Sequence, residues 1–105
     1  MNYQVEISNQ ADNDIREIYE YIAYELQAPE SAAGQIDRLE KGILSLDYMP
    51  IRFRAYEKEP WKSRGLRMFP IDNYIIFYIP NDDTKTVTIM RVMYCGRDID
   101  TQLNM

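Results

Sequence analysis

The chain has 105 residues, 46% hydrophobic and 28% charged, with a formal net charge of −5, no histidine and a single cysteine. That length carries one modest core, so a single domain over residues 1–105 is expected. The totals speak against a generic nucleic-acid binder, a histidine-based catalytic dyad or triad, a structural zinc site and an internal disulfide.

Tyr3, Val5 and Ile7 alternate with polar neighbours, the period of a half-buried strand over 3–8. Ser8 or Asn9 can cap the helix that follows, and Asp12 and Asp14 suit the positive end of its dipole. From there Ala11, Ile15, Ile18, Tyr19, Ile22, Ala23 and Leu26 recur at spacings of three and four, one apolar helical face. Arg16 can pair with Asp12 and Glu20 on the outer side. "QAPE" breaks this helix, and Pro29 opens a second one that runs to Leu46 or Asp47. Its predicted stripe is Ala32, Ala33, Ile36, Leu39, Ile43 and Leu44, with Gly34 and Gly42 marking close approach to the first helix or to a sheet. So short a connection predicts an antiparallel helical hairpin.

The helical period then stops, and 48–63 is expected to be a long loop anchored by Trp61. Three strands follow. "GLRMFPI" (65–71) carries Pro70, which predicts an edge or a bulge. "NYIIFYI" (73–79) is apolar on both faces and should be central, "NDDT" is a turn, and "KTVTIMRVMY" (85–94) is the last strand. "RDIDTQL" forms a short helix or tail. The expected fold is α+β: an N-terminal strand, an antiparallel two-helix hairpin, then a three-strand antiparallel meander. The hairpin covers one sheet face and leaves the other at least partly open for a site.

No apolar run approaches the roughly 20 residues that cross a bilayer. "MNYQVEISNQ" is not a secretory signal, so a cytoplasmic protein is expected, with no membrane partner, no cofactor and no metal. Charge is unevenly spread. Residues 1–50 hold ten acids and three bases, and residues 51–105 hold seven acids and nine bases. Arg52, Arg54, Lys58, Lys62, Arg64 and Arg67 make a local basic stretch, either a solvated loop or a working patch.

"RVMYCGRD" (91–98) gathers further cations at the end of the last strand. Arg97 lies past the strand end, the leading candidate for a functional cation. Arg67 is the cation of the first meander strand, with a salt bridge to Asp72 as the structural alternative. Arg91 shares parity with the core positions Val87 and Ile89, which makes it a structural pair or a rim contact unless a bulge re-aims it. Asp98 orients Arg97 or Arg91, or caps the terminal helix. Tyr94 stands with them at the rim. Tyr74 and Tyr78 share a face with Ile76 and are expected in the core, and Cys95 is expected to be a small buried filler.

The ordered set "AxxDIxEIxxYIAxEL", "PxxAAxxIDRLEKGIxxL", "GLRMFPIDNYIIFYI" and "VTIMRVMYCGRD" closely resembles the RelE/ParE superfamily over about residues 3–103. These are toxins of type II toxin–antitoxin systems, often labelled plasmid stabilization proteins. The resemblance implies the fold just described. It also implies one of two activities, binding and poisoning DNA gyrase (ParE-like) or cutting mRNA at the ribosome (RelE-like). RNA cleavage needs groups to take and give a proton and cations for the phosphate charge. Here Arg67, Arg97 and Tyr94 are the candidates for those roles. Against the mRNA-cutting pattern, Ile75 stands where an arginine typically follows the central-strand tyrosine. "GLRMFPI" lacks the lysines of those relatives, and "RDIDTQLNM" has no terminal tyrosine or histidine.

The ParE-like branch is therefore the expectation, with the ribosome-dependent nuclease and an inactive antitoxin-binding module as rivals. The implied main partner is a cognate antitoxin, with gyrase or the ribosome as target. Arg67, Arg91, Tyr94, Arg97 and Asp98 are the expected contact residues for target or antitoxin. A homodimer or a toxin–antitoxin hetero-oligomer is compatible with the resemblance.

Overall fold

Ser8 begins the first helix and ties it to the sheet at the same time. Its Oγ accepts the Ala11 N–H at 3.0 Å, the expected cap, and donates to the Met90 carbonyl at 3.0 Å. The computed structural model describes residues 2–96 and 98–103. Strand β1 is Gln4–Ile7 and helix α1 is Asn9–Glu20. A π-turn at Tyr21–Glu25 ends α1, and helix α2 is Pro29–Leu44. Short 3-10 turns at Ser45–Asp47 and Pro50–Arg52 lead to β2, Arg54–Ala55, and α3, Trp61–Arg64. The meander is β3, Arg67–Ile71, β4, Tyr74–Asn81, and β5, Thr86–Tyr94, followed by α4, Ile99–Leu103.

The five-stranded sheet runs β1-β5-β4-β3-β2. The meander pairs are antiparallel as expected, and β4 is central. The crossover through the hairpin brings β1 back parallel to β5, with Val5 opposite Val87. Stretch 48–63 is not a plain loop, because Arg54 and Ala55 pair with Met68 and Arg67 and extend the sheet. Pro70 pairs with Ile75 of β4, but the β2 pairing reaches only Met68, so on its other side Pro70 lies at a free edge, where proline is tolerated.

The hairpin packs on one face. Ala11, Leu39, Ile43, Ile76, Tyr78 and Val87 are fully or almost fully buried there. Burying a side chain such as Leu39 contributes about 2 kcal/mol. Gly42 is where α2 touches the sheet, since a Cβ there would stand 2.0 Å from Ile71 Cδ1. The predicted stripes are too wide: Leu26, Ala33 and Leu44 are exposed, because the hairpin meets the sheet along a narrower seam. Ile7 is also exposed, on the outer strand.

The opposite sheet face is not the open platform that was expected. Phe77, Ile75 and Met93 are buried there under Tyr56, Leu66 and Leu103, with Trp61 packed alongside as an anchor. Segment 54–66 and α4 together form this lid. They are joined at Asp100, whose carboxylate accepts bonds from Lys58 Nζ and Tyr56 Oη. Burial first, then the bond to Asp100, pushes the Tyr56 hydroxyl up to about 12.

Lys58, then Tyr56, holds the Asp100 carboxyl below its ordinary value. A carboxylate with a depressed folded pKa stabilises above its unfolded value of about 3.9 and loses that contribution as pH falls through the folded value. The α4 amides should therefore lose hydrogen-exchange protection in acid, below about pH 4, before those of β4. Asp100→Asn should weaken that protection already at neutral pH; unchanged α4 protection in the variant would refute the clasp.

Candidate functional site

One carboxylate organises the junction of α1 and β5. Between Phe77 and Tyr78 the ladder slips, so Ile89 faces Tyr78 and Arg91 faces Phe77, leaving Met90 as the extra residue of a bulge. Arg91 is thereby taken out of step with Val87 and Ile89. Its Nε and Nη2 donate to Asp14 at 2.8 and 3.0 Å, a two-pronged ion pair. Asp14 also accepts the Val92 N–H at 2.9 Å. Asp14 lies on the helix face turned toward the sheet, and the helical period flagged only its apolar neighbours. Its signal was an acid among inward positions of a helix whose partner strand carries an arginine.

The same end of the molecule holds a groove of about 700 Å³ between the hairpin and the ends of β4 and β5. Ile18, Ile22 and Leu26 line it from the hairpin, and Tyr74, Val92 and Tyr94 from the sheet. The π-turn shapes the hairpin side: Leu26 N–H reaches back to the Tyr21 carbonyl at 3.1 Å, five residues away, which widens the last turn. The β3–β4 turn shapes the floor. Asp72 takes a left-handed φ of 54°, which aspartate tolerates better than most residues. Its Oδ2 accepts from Arg38 at 2.7 Å and Gln35 at 2.9 Å, locking turn to helix. Arg38 first, then Gln35, holds the Asp72 carboxyl below its usual range.

The expected site residues are only partly brought together. Tyr94 is half-exposed at the groove and meets Tyr74 edge to face, with centroids 5.9 Å apart. Its ring lies over Gly96, where a Cβ would stand 2.6 Å from Tyr94 Cε2. Asp98 is the cap of α4, accepting the Thr101 hydroxyl at 2.8 Å. Arg97 lies outside the described residues.

Arg67 is elsewhere. It does not pair with Asp72, which belongs to Arg38; its Nη1 donates to the Phe53 and Ile51 carbonyls at 2.6 and 3.3 Å. Arg67 stands opposite Tyr78, whereas Tyr94 stands opposite Tyr74, four strand positions or about 13 Å along the sheet. Tyr78 is core, as expected: its hydroxyl donates to the Pro50 carbonyl at 2.5 Å, and burial pushes it up to about 12. Cys95 is exposed, not a buried filler, because the strand ends one residue before it.

Half of the basic stretch is used internally. Arg52 Nη2 donates to the Ser45 carbonyl at 3.2 Å, closing the end of α2, while Arg67 holds the next turn and Lys58 holds Asp100. Arg54, Lys62 and Arg64 remain exposed, with Arg64 over the Trp61 ring at 5.0 Å.

A sequence model of the ParE toxin of the type II toxin–antitoxin system parDE matches residues 5–99. The chain belongs to this ParE family. Three solved structures share the fold of this ParE-family chain. A chain of the chromosomal ParDE toxin–antitoxin system from P. aeruginosa is 17% identical, with a TM-score of 0.71 over 88% of this chain and 95% of that one. The E. coli toxin RelE, an arginine double mutant in the free state, is 13% identical, with a TM-score of 0.65 over 97% and 93%. The archaeal RelE–RelB complex from Pyrococcus horikoshii is 19% identical, with a TM-score of 0.60 over 92% and 99%. At such identities the likeness is one of fold. No curated protein matches the sequence. The chain is thus a toxin of the ParE/RelE type, and among the described residues no helix is long and apolar enough to cross a membrane.

Asp14→Ala strands a partly buried guanidinium and the Val92 N–H, and should cost about 3 kcal/mol in denaturant unfolding. Arg67→Ala removes charged bonds to two carbonyls and should cost about 2 kcal/mol. A loss below about 0.5 kcal/mol in either would show that the contact is not structural.

Proposed function

We propose that this ParE-family toxin arrests growth by binding DNA gyrase, and that a cognate antitoxin neutralises it by filling the groove. The observation that carries the first half is where the cations are spent. An RNA-cutting centre needs cations and proton-transfer groups converging on one phosphate. Arg67 is bonded to backbone carbonyls, Arg91 is bonded to Asp14, and Tyr94 lies about 13 Å along the sheet from the Arg67 row. The match of residues 5–99 to the ParE model adds to this reading.

A protein-binding toxin needs exposed apolar and aromatic surface rather than a converging set of acids and bases. Tyr21, Tyr24, Leu26 and Tyr94 supply it beside the groove. The antitoxin partner is supported by the ParDE and RelE–RelB systems that share the fold. On this reading the apolar part of the antitoxin enters the groove, and its acidic part lies against Arg54, Lys62 and Arg64.

The test is induction of the chain alone in a bacterial host, with pulse-labelling of DNA and protein synthesis in the following minutes. DNA synthesis should fall first, and the purified chain should inhibit supercoiling by gyrase. Protein synthesis collapsing first would replace this reading with the ribosome-dependent mRNA endonuclease. Accumulation of soluble protein with neither effect would leave an inactive antitoxin-binding module.

A further inference from the structure

Three tyrosines and a carboxylate share the groove. Tyr21 opens the π-turn and follows Glu17 by one helical turn, so both lie on the groove side of the hairpin. On the sheet side Tyr74 and Tyr94 stand at 72° to one another, like two adjoining walls of a box. All three tyrosines line the same groove, and burial, then the neighbouring phenols of Tyr94 and Tyr21, raises the pKa of Tyr74. Yet Tyr21 and Tyr94 remain 53% and 49% exposed. Packing within the chain leaves much of their surface uncovered.

Charge selects what fits among them. The acids and bases lining the groove are Asp14, Glu17, Arg38 and Arg91. Arg38 is neutralised by Asp72 at 2.7 Å, and Arg91 by Asp14 at 2.8 Å. Glu17 lies near enough to Arg91 to add to its field, but Asp14 already holds that guanidinium in a two-pronged pair. Glu17 accepts a long bond from Asn13 Nδ2 at 3.4 Å. With Asp72 counted, the groove therefore carries one negative charge in excess among the described residues. Aromatic faces are themselves electronegative and attract cations. An anion or an acidic segment meets both terms as repulsion.

We propose that Tyr21, Tyr74, Tyr94 and Glu17 form a receptor for a lysine or arginine side chain, carried by the antitoxin segment that enters the groove. This rests on the antitoxin reading above and specifies its chemistry. The segment is apolar where it meets Ile18, Ile22 and Leu26, and cationic where it meets the tyrosines. The acidic part of the same partner is left to the basic loop. Gly96 is part of the device, since any side chain there would displace the Tyr94 ring.

The first test needs no antitoxin. The full-length chain is titrated with n-butylguanidinium and n-butylammonium chloride, and with n-butanol and sodium butyrate at matched ionic strength, while tyrosine ring signals are followed by NMR. The two cations should give saturable shifts of Tyr21, Tyr74 and Tyr94, with n-butanol at least about fivefold weaker and butyrate silent. Glu17→Gln should weaken cation binding about fivefold and Tyr94→Leu about tenfold, with melting temperatures unchanged. An equal response to n-butanol, or cation shifts unaltered in both variants, would overturn the receptor. Tighter binding of the cations by Arg97→Ala would overturn the partner as source of the cation, in favour of the chain's own arginine.

The second test uses the antitoxin that restores growth on co-expression. Its complex with Glu17→Gln or Tyr94→Leu should show a Kd raised about five- to tenfold, and an unchanged Kd would overturn the assignment to that partner. Growth arrest by the unmutated chain is scored separately. Its absence would sink the toxin reading of the preceding section while leaving the NMR result standing.

Discussion

The carboxylate of Asp14 is the joint on which this structure turns. It receives two guanidinium bonds from Arg91 and the backbone N–H of Val92 where the bulge interrupts the ladder of β5. A bulge leaves a ladder donor to be satisfied, and a donor buried without a partner costs about 1–3 kcal/mol. Asp14 satisfies it and neutralises the adjacent cation with the same group. Six residues earlier in the chain, Ser8 makes the matching contact to the Met90 carbonyl. Helix α1 is thus stitched to the bulge at both of its flanks, and the groove beside it inherits that rigidity.

From this joint the two sides of the sheet follow different logic. One side is closed by a continuous hairpin whose apolar seam meets Ile76, Tyr78, Val87 and Ile89. The other is closed by pieces from distant parts of the chain, segment 54–66 and α4, clasped at Asp100. The first cover combines that packing with the Asp14–Arg91 and Arg38–Asp72 pairs. The second is smaller and depends on an exposed, charged clasp at its margin, so it is the cover that acid or high salt opens first. The functional consequence is spatial: with both faces covered, what remains for recognition is the groove at the end of the sheet and the exposed cations of the loop.

Cations illustrate how a chain can look basic without offering a basic site. Arg52, Arg67 and Arg91 were conspicuous in sequence, and each is bonded within the chain to a carbonyl or a carboxylate. Guanidinium is suited to that use because its donors stay charged and satisfy several acceptors in a fixed fork. The groove, by contrast, is built from tyrosines and acids that composition alone would assign to core and solvated helix faces. In this chain of the ParE/RelE type the described arginines Arg67 and Arg91 are bonded to a carbonyl and a carboxylate and do not converge on one point.

The sequence by itself determined the main helices and strands and their order, but not β2 or α3. Alternation at 3–8 and 85–94, the stripe from Ala11 to Ile43, Pro29 and the central apolar run of β4 each act over a few residues, where local periodicity and turn chemistry suffice. The family could be read there too, because its pattern is a sequence of such local signals. Tertiary structure alone decided which faces are covered, where the bulge falls and which acid each arginine meets. Asp14 and Arg91 are 77 residues apart, and Tyr56 and Asp100 are 44 apart. A one-residue bulge shifts the side-chain parity of β5 at Met90, so the strand period could suggest a structural pair for Arg91 but could not name its partner. Contacts of that separation are set by the docking of whole elements, and the groove among Tyr21, Tyr74 and Tyr94 exists only once that docking is complete.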